Sequence, residues 1–132
     1  MTVKAPASAA TVAQELVDLC RKGRNLDAVN QFYSPRIVSI ESSGSPEMPA
    51  EMTGIDAIRK KHEWWEANND VHVMEVNGPY VGEDQFAVRF TFDSTFRPTG
   101  ERRSLTEMAL YTVKDGKIVR EEFFYNPQRP SA

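Results

Sequence analysis

What this chain lacks narrows it first. It has one cysteine, Cys20, so no disulfide can form within it, and it suits a reducing compartment. No apolar run approaches the ~20 residues that a membrane helix needs. The first residues carry a single lysine and no leader-like apolar segment, so a cytoplasmic protein is expected. Surplus positive charge is missing too. Sixteen Lys and Arg against 19 Asp and Glu leave a net charge of −3, which draws neither nucleic acid nor an anionic membrane. There is no Gly-rich phosphate loop and no Gly-x-Ser-x-Gly elbow. His62 and His72 stand alone, without a Cys cluster or His-x-x-Glu spacing, so neither a dedicated metal site nor a cofactor is expected.

What remains is an ordinary globular composition, 40% hydrophobic and 27% charged, in 132 residues, enough for one domain with one core. Residues 1–10 read as a tail and 127–132 as another, with a single domain over 11–126. Val12, Leu16, Leu19 and Cys20 recur at helical spacing after Thr11, a plausible N-cap, and Gly23 closes that helix. Asn25 can cap a second helix that buries Leu26, Val29, Phe32 and Tyr33 and stops before Pro35. Arg36 to Glu41 is a short β-rich run. A Ser/Gly/Pro loop follows, then a short extended piece around Met52. A third helix runs from Ile55 to about Asn68 with Ile58, His62 and Trp65 in phase. Arg59-Lys60-Lys61 reads as its solvated side. From Val71 onward all is strand and turn. Gly78-Pro79 suggests a bulge, and Phe86, Val88, Phe90 and Phe92 alternate onto one face of the run Gln85 to Phe96.

Lys114-Asp115-Gly116-Lys117 is the strongest local signal. Asp-Gly between apolar runs marks a tight hairpin turn with positive φ at both central residues. Uniform pairing from that turn sets Val113 against Ile118, Leu110 against Glu121, Met108 against Phe123 and Thr106 against Tyr125. Opposed residues share a face. One face is then expected to carry Met108, Leu110, Glu121, Phe123 and Tyr125, and the other Glu107, Ala109, Tyr111, Glu122 and Phe124. Helices followed by a long meander argue α+β, with three helices of the N-terminal half covering the concave face of a curved, cone-shaped antiparallel or mixed sheet.

The stretches Asp27-Ala28-Val29 to Phe32-Tyr33, Gly54-Ile55-Asp56-Ala57-Ile58-Arg59 and Tyr111-Thr112-Val113-Lys114-Asp115-Gly116-Lys117-Ile118 together resemble the nuclear transport factor 2-like superfamily. Within it the chain looks most like the SnoaL-like branch, which includes polyketide cyclases. The resemblance implies a cystatin-like cone and often a homodimer through the outer sheet face. In the related ketosteroid isomerases an Asp base faces a neutral acid and a tyrosine. Carried over, the base falls on Glu41, the neutral acid on Met108 and the tyrosine near Leu16 or Val17. Two of three positions depart, so steroid isomerisation is not expected.

Glu41 and Glu121 are the candidate catalytic pair. A carboxylate held among Met48, Met52, Met108, Phe90 and Phe123 loses hydration, which raises its pKa toward useful acid/base strength. The alternative seats Glu41 in water at a strand end and pairs Glu121 with Arg89 or Arg103. Tyr33, Met52, His62, Trp65, Phe90, Phe92, Met108, Leu110, Phe123 and Tyr125 are the expected ligand contacts. The expected function is binding of a small apolar organic molecule in the cone. Cofactor-independent isomerase, cyclase or dehydratase chemistry is one form of it, and a non-enzymatic binding or dimerisation module is the other.

Overall fold

A computed structural model describes residues 7–126. In chain order it contains α1 (Ala9–Arg21), α2 (Asn25–Phe32), β1 (Tyr33–Ile40), β2 (Glu51–Thr53), α3 (Ile55–Asn68), β3 (Asn69–Val81), β4 (Gln85–Phe96), β5 (Glu101–Lys114) and β6 (Lys117–Phe124). The six strands form one sheet in the order β2-β1-β6-β5-β4-β3. All neighbours are antiparallel except β1 and β6. The class is the expected α+β, a curved mixed sheet with three helices. No helix among the described residues is long and apolar enough to cross a membrane.

The helix ends follow local chemistry. α1 starts three residues earlier than expected, because Ser8, not Thr11, is its N-cap and accepts from the Thr11 N–H at 3.2 Å. Residues 8–10 therefore belong to the domain. The remaining tail expectations, residues 1–6 and 127–132, lie outside the described residues. Gly23, at φ 72°, turns the chain after α1 in a conformation that favours glycine. Asn25 is the first residue of α2 rather than its cap, and no side chain caps that end.

α1 lays Val12, Leu16 and Val17 on the inner face of the sheet, against Val88, Ala109 and Ile118, all 0–1% exposed. Phe86, Val88 and Phe90 are the buried side of β4, as its alternation indicated. Phe86 stacks on Tyr111 with ring centroids 4.7 Å apart.

The hairpin β5–β6 departs from uniform pairing. Asp115 and Gly116 take the positive φ values of 52° and 76° that the tight turn requires, and Val113 pairs with Ile118. Then the register slips, so that Thr112 pairs with Arg120 and Tyr111 with Glu121. Val119 is the extra residue of a β-bulge. A slip of one residue moves every side chain of one strand to the other face relative to its partner. Glu121 and Phe123 stay inside, but their inner neighbours on β5 are Tyr111 and Ala109. Met108 and Leu110 face outward, opposite Phe124 and Glu122, and Met108 is exposed. The expected faces of β5 are thus exchanged, and Glu107 points into the cone.

Candidate active site in the cone

Between the helices and the inner face lies an open-ended cavity of about 1300 Å³. Its wall is mostly apolar. Leu16, Met48, Met52, Met74, Phe90, Phe92, Trp65, Leu105 and Phe123 line it, with Tyr33, Glu41, Lys61, His62, Glu107, Tyr111 and Tyr125 among its polar groups and Arg21, Glu47, Glu66 and Arg103 among the other charged ones. Trp65 packs on Phe92 at 5.9 Å and Phe92 on Phe90 at 6.0 Å, so one side of the cavity is a continuous aromatic surface.

Of the expected ligand contacts, Tyr33, Met52, His62, Trp65, Phe90, Phe92, Phe123 and Tyr125 lie in this wall. Met108 and Leu110 do not, because the bulge at Val119 turns them to the outer face. Glu41 is on the wall. Glu121 has no exposed surface and stands behind it.

Lys61 joins the two candidate carboxylates. It projects from α3, and its Nζ donates to Ser39 Oγ at 2.9 Å and to Glu41 Oε1 at 3.0 Å. The same ammonium stands 3.8 Å from Glu121 Oε1 and 5.2 Å above the Phe123 ring. Ser39 Oγ donates to Glu121 Oε1 at 2.8 Å, and the Tyr33 hydroxyl donates to Glu121 Oε2. Neither Arg89 nor Arg103 is the partner of Glu121. Burial pushes the Glu121 carboxyl upward, opposed by Lys61 and by the Tyr33 and Ser39 hydrogen bonds. Burial and the Glu121 charge hold both Tyr33 and Tyr111 well above the usual phenol range. The Cys20 thiol is pushed to about 12 by burial and then by Glu121, so it is inert.

Glu107 differs. Among the described residues no side chain pairs with or donates to its carboxyl. Its pKa is raised to about 8, first by burial, then by the charge of Glu41. At neutral pH it therefore carries a proton. His62 is lowered to about 4 by burial and the adjacent Lys61, so it faces the cavity uncharged. Tyr125 rises through burial and hydrogen-bonds to Ser43 and Glu41. No group of three metal-ligating side chains is found among the described residues.

Lys61, Glu107, Ser39 and Tyr111 were not among the expected site residues. Lys61 was hidden in a basic run, although it is three residues from Ile58 and four from Trp65, on the buried stripe. Glu107 had a signal as well. Leu105, Ala109, Tyr111 and Val113 alternate around it in phase, a better apolar row than Thr106, Met108, Leu110 and Thr112.

A six-stranded cone with helices over its concave face and an acid-bearing apolar cavity defines the class: a nuclear transport factor 2-like, cystatin-like α+β protein. The chain belongs to the SnoaL-like domain family, whose model matches residues 7–125. It is similar to a Mesorhizobium loti protein described as a candidate SnoaL-like polyketide cyclase, with carbohydrate phosphatase as a second designation. The two are 42% identical, with a TM-score of 0.85 over 90% of this chain and 100% of that one. A nuclear transport factor 2-like protein of Burkholderia thailandensis shares the fold at 17% identity and a TM-score of 0.77, over 91% of this chain and 92% of that one. So does a Xanthomonas campestris protein with a cystatin-like fold, at 14% identity and 0.72, over 92% and 93%. No curated protein gives a significant match.

Proposed function

We propose that the cone binds a small, largely apolar, uncharged carbonyl compound and moves a proton on it. Glu41 acts as base and Glu107 as acid. The observation that carries this reading is the Glu107 carboxyl, without a partner among the described residues, in an aromatic-walled cavity that also holds Glu41. The Lys61 ammonium donates to Glu41 Oε1 at 3.0 Å and so holds that carboxylate in place. Glu41 takes a proton from the carbon next to the carbonyl while Glu107 gives its proton to the carbonyl oxygen, and an enol results. Return of a proton at another carbon isomerises the compound. Attack of the enol carbon on a second carbonyl closes a ring, and loss of a neighbouring hydroxyl as water dehydrates it. Glu121, out of reach of a ligand, is a positioning residue that anchors Lys61, Ser39 and Tyr33. The 42%-identical Mesorhizobium loti relative, a candidate polyketide cyclase, supports this class of chemistry through the cyclase half of its double designation.

Hydrogen–deuterium exchange of 2-tetralone, an apolar aromatic ketone, tests it without knowledge of the natural substrate. The protein is expected to accelerate exchange of the α-hydrogens in D₂O, followed by NMR. Glu41→Gln should lower that acceleration by roughly 10²–10⁴-fold. Binding of the ketone without any acceleration would leave a ligand-binding protein and remove the catalysis.

A second reading, a dimerisation module, draws on the outer sheet face. Met108 and Phe124 pair there and are 37% and 54% exposed, and Val73 and Tyr80 of β3 are exposed on the same face, beyond β4. Apolar and aromatic groups at this density suit a homodimer contact. Sedimentation of Phe124→Lys as a monomer, against a wild-type dimer, is the expected result.

A further inference from the structure

Beside the main cavity lies a second, open-sided chamber of about 300 Å³, at the lower limit of small-molecule sites. Trp64, Trp65, Asn69, Ser94 and Arg103 belong to the walls of both spaces, so the two adjoin. One side of the chamber is aromatic. Trp64 stands 6.2 Å from Phe96 and is 47% exposed, an indole half open to whatever enters. The other side is polar and charge-balanced: Arg103 Nη2 donates to Glu101 Oε2 at 2.6 Å, with the hydroxyls of Ser94 and Thr99 nearby.

The walls are tied together. Arg97 Nη1 donates to the Ala67 carbonyl at 3.0 Å and the Arg97 N–H to the Asn68 carbonyl at 2.8 Å, and the guanidinium pairs with Asp70 at 2.6 Å. The end of α3 that carries Trp64 is thereby fastened to the turn between β4 and β5.

This chemistry selects its occupant. An anion would have to displace Glu101 from Arg103 and then face that carboxylate. A cation meets the reverse problem. A neutral hydroxyl donates to Glu101 and accepts from Arg103 at once. The indole face covers an apolar C–H surface. We infer that the chamber is a subsite for a sugar ring, an uncharged polyhydroxyl substituent carried by the ligand whose apolar body fills the main cavity. The inference rests on the proposed reading of that cavity as the ligand site.

Calorimetry with 2-naphthol, 2-naphthyl β-D-glucoside and 2-naphthyl phosphate separates the two claims. Binding of 2-naphthol tests the main cavity alone. The glucoside is expected to bind about tenfold tighter than the naphthol, roughly the worth of one well-placed stacking and hydrogen-bonding group. Phe96→Ala and Glu101→Ala, at residues that line the smaller space and not the main cavity, should each remove most of that advantage and leave the naphthol affinity unchanged. A glucoside no tighter than the naphthol, a phosphate tighter than the glucoside, or variants that weaken naphthol and glucoside alike would each overturn the subsite. Failure of naphthol itself to bind would overturn the cavity reading as well.

Discussion

Glu121 and Glu107 have the same side chain and lie on adjacent strands of one sheet face. Their surroundings divide them. Glu121 is fully buried, bonded by Tyr33 and Ser39 and faced by Lys61. Glu107 opens into the cavity and has no partner among the described residues. A carboxyl whose lone pairs are all taken has nothing left for a ligand, while one held in an apolar space without a partner keeps both its proton and its bonding capacity. The comparison assigns Glu121 to the framework and Glu107 to the site, although sequence reasoning favoured the first and put the second outside.

Breaking the framework side should cost the most. Lys61→Met removes the one cation among the described residues that faces the buried Glu121, and loss of one partner of a buried pair costs about 3–5 kcal/mol. Urea unfolding should register that loss. Glu107→Gln, which breaks no bond, is expected to lose nothing and, near neutral pH, to gain stability, because the folded wild type keeps a proton there that the unfolded chain releases. Tyr33→Phe falls between them. It deletes a hydrogen bond to a charged group, worth about 1.5–3 kcal/mol, and leaves the phenyl packing intact. Equal losses for Lys61→Met and Glu107→Gln would erase the distinction.

pH sharpens the same contrast. Folding raises the Glu107 pKa from 4.5 to about 8, so the folded form holds this proton more tightly than the unfolded chain does. Its contribution to stability is fully present below pH ~4.5 and is lost as pH rises through about 8, beyond which it is constant. Glu121 is also raised and adds a slope of the same sign. The part that belongs to Glu107 is the difference between wild type and Glu107→Gln. Over pH 5 to 8 the variant should lose stability less steeply, as measured by unfolding at a series of pH values. Identical slopes would mean that Glu107 is already ionised at neutral pH, and its role as acid would fall.

Much of the architecture was legible because local signals agreed with one another. Asp115-Gly116 set the turn, the alternation from Phe86 to Phe92 set the buried side of β4, and the stripe of Ile58, His62 and Trp65 set the inner side of α3. The site was legible only in part. The aromatic wall followed from those faces, and Glu41 from the resemblance to the ketosteroid isomerases. Two physical facts stood in the way of the rest. A bulge is a single uncoupled residue with no distinctive side chain, and Val119 looks like any strand valine. Lys61 has a long apolar stem that lets it lie on a buried stripe and still carry its charge to two carboxylates, so its residue type argued for water while its phase argued for the core. Only the three-dimensional convergence of α3, β1 and β6 shows which argument wins.

The bulge can be tested where its expected effect is smallest. Met108 and Ala109 are neighbours, and the pairing of β5 with β6 decides which is inside. Uniform pairing buries Met108 and exposes Ala109; the observed register does the opposite, with Ala109 at 0% exposure. Enlarging a packed interior alanine forces its neighbours apart, so Ala109→Met should cost about 1–3 kcal/mol. Met108→Gln replaces one exposed side chain by another of similar length and should change stability by less than about 0.5 kcal/mol. Because Met108 lies outside the cavity wall, the same variant should also leave the affinity for 2-naphthol unchanged. A reversed order of the two stabilities would place Glu107 back on the outer face and take the acid out of the proposed chemistry.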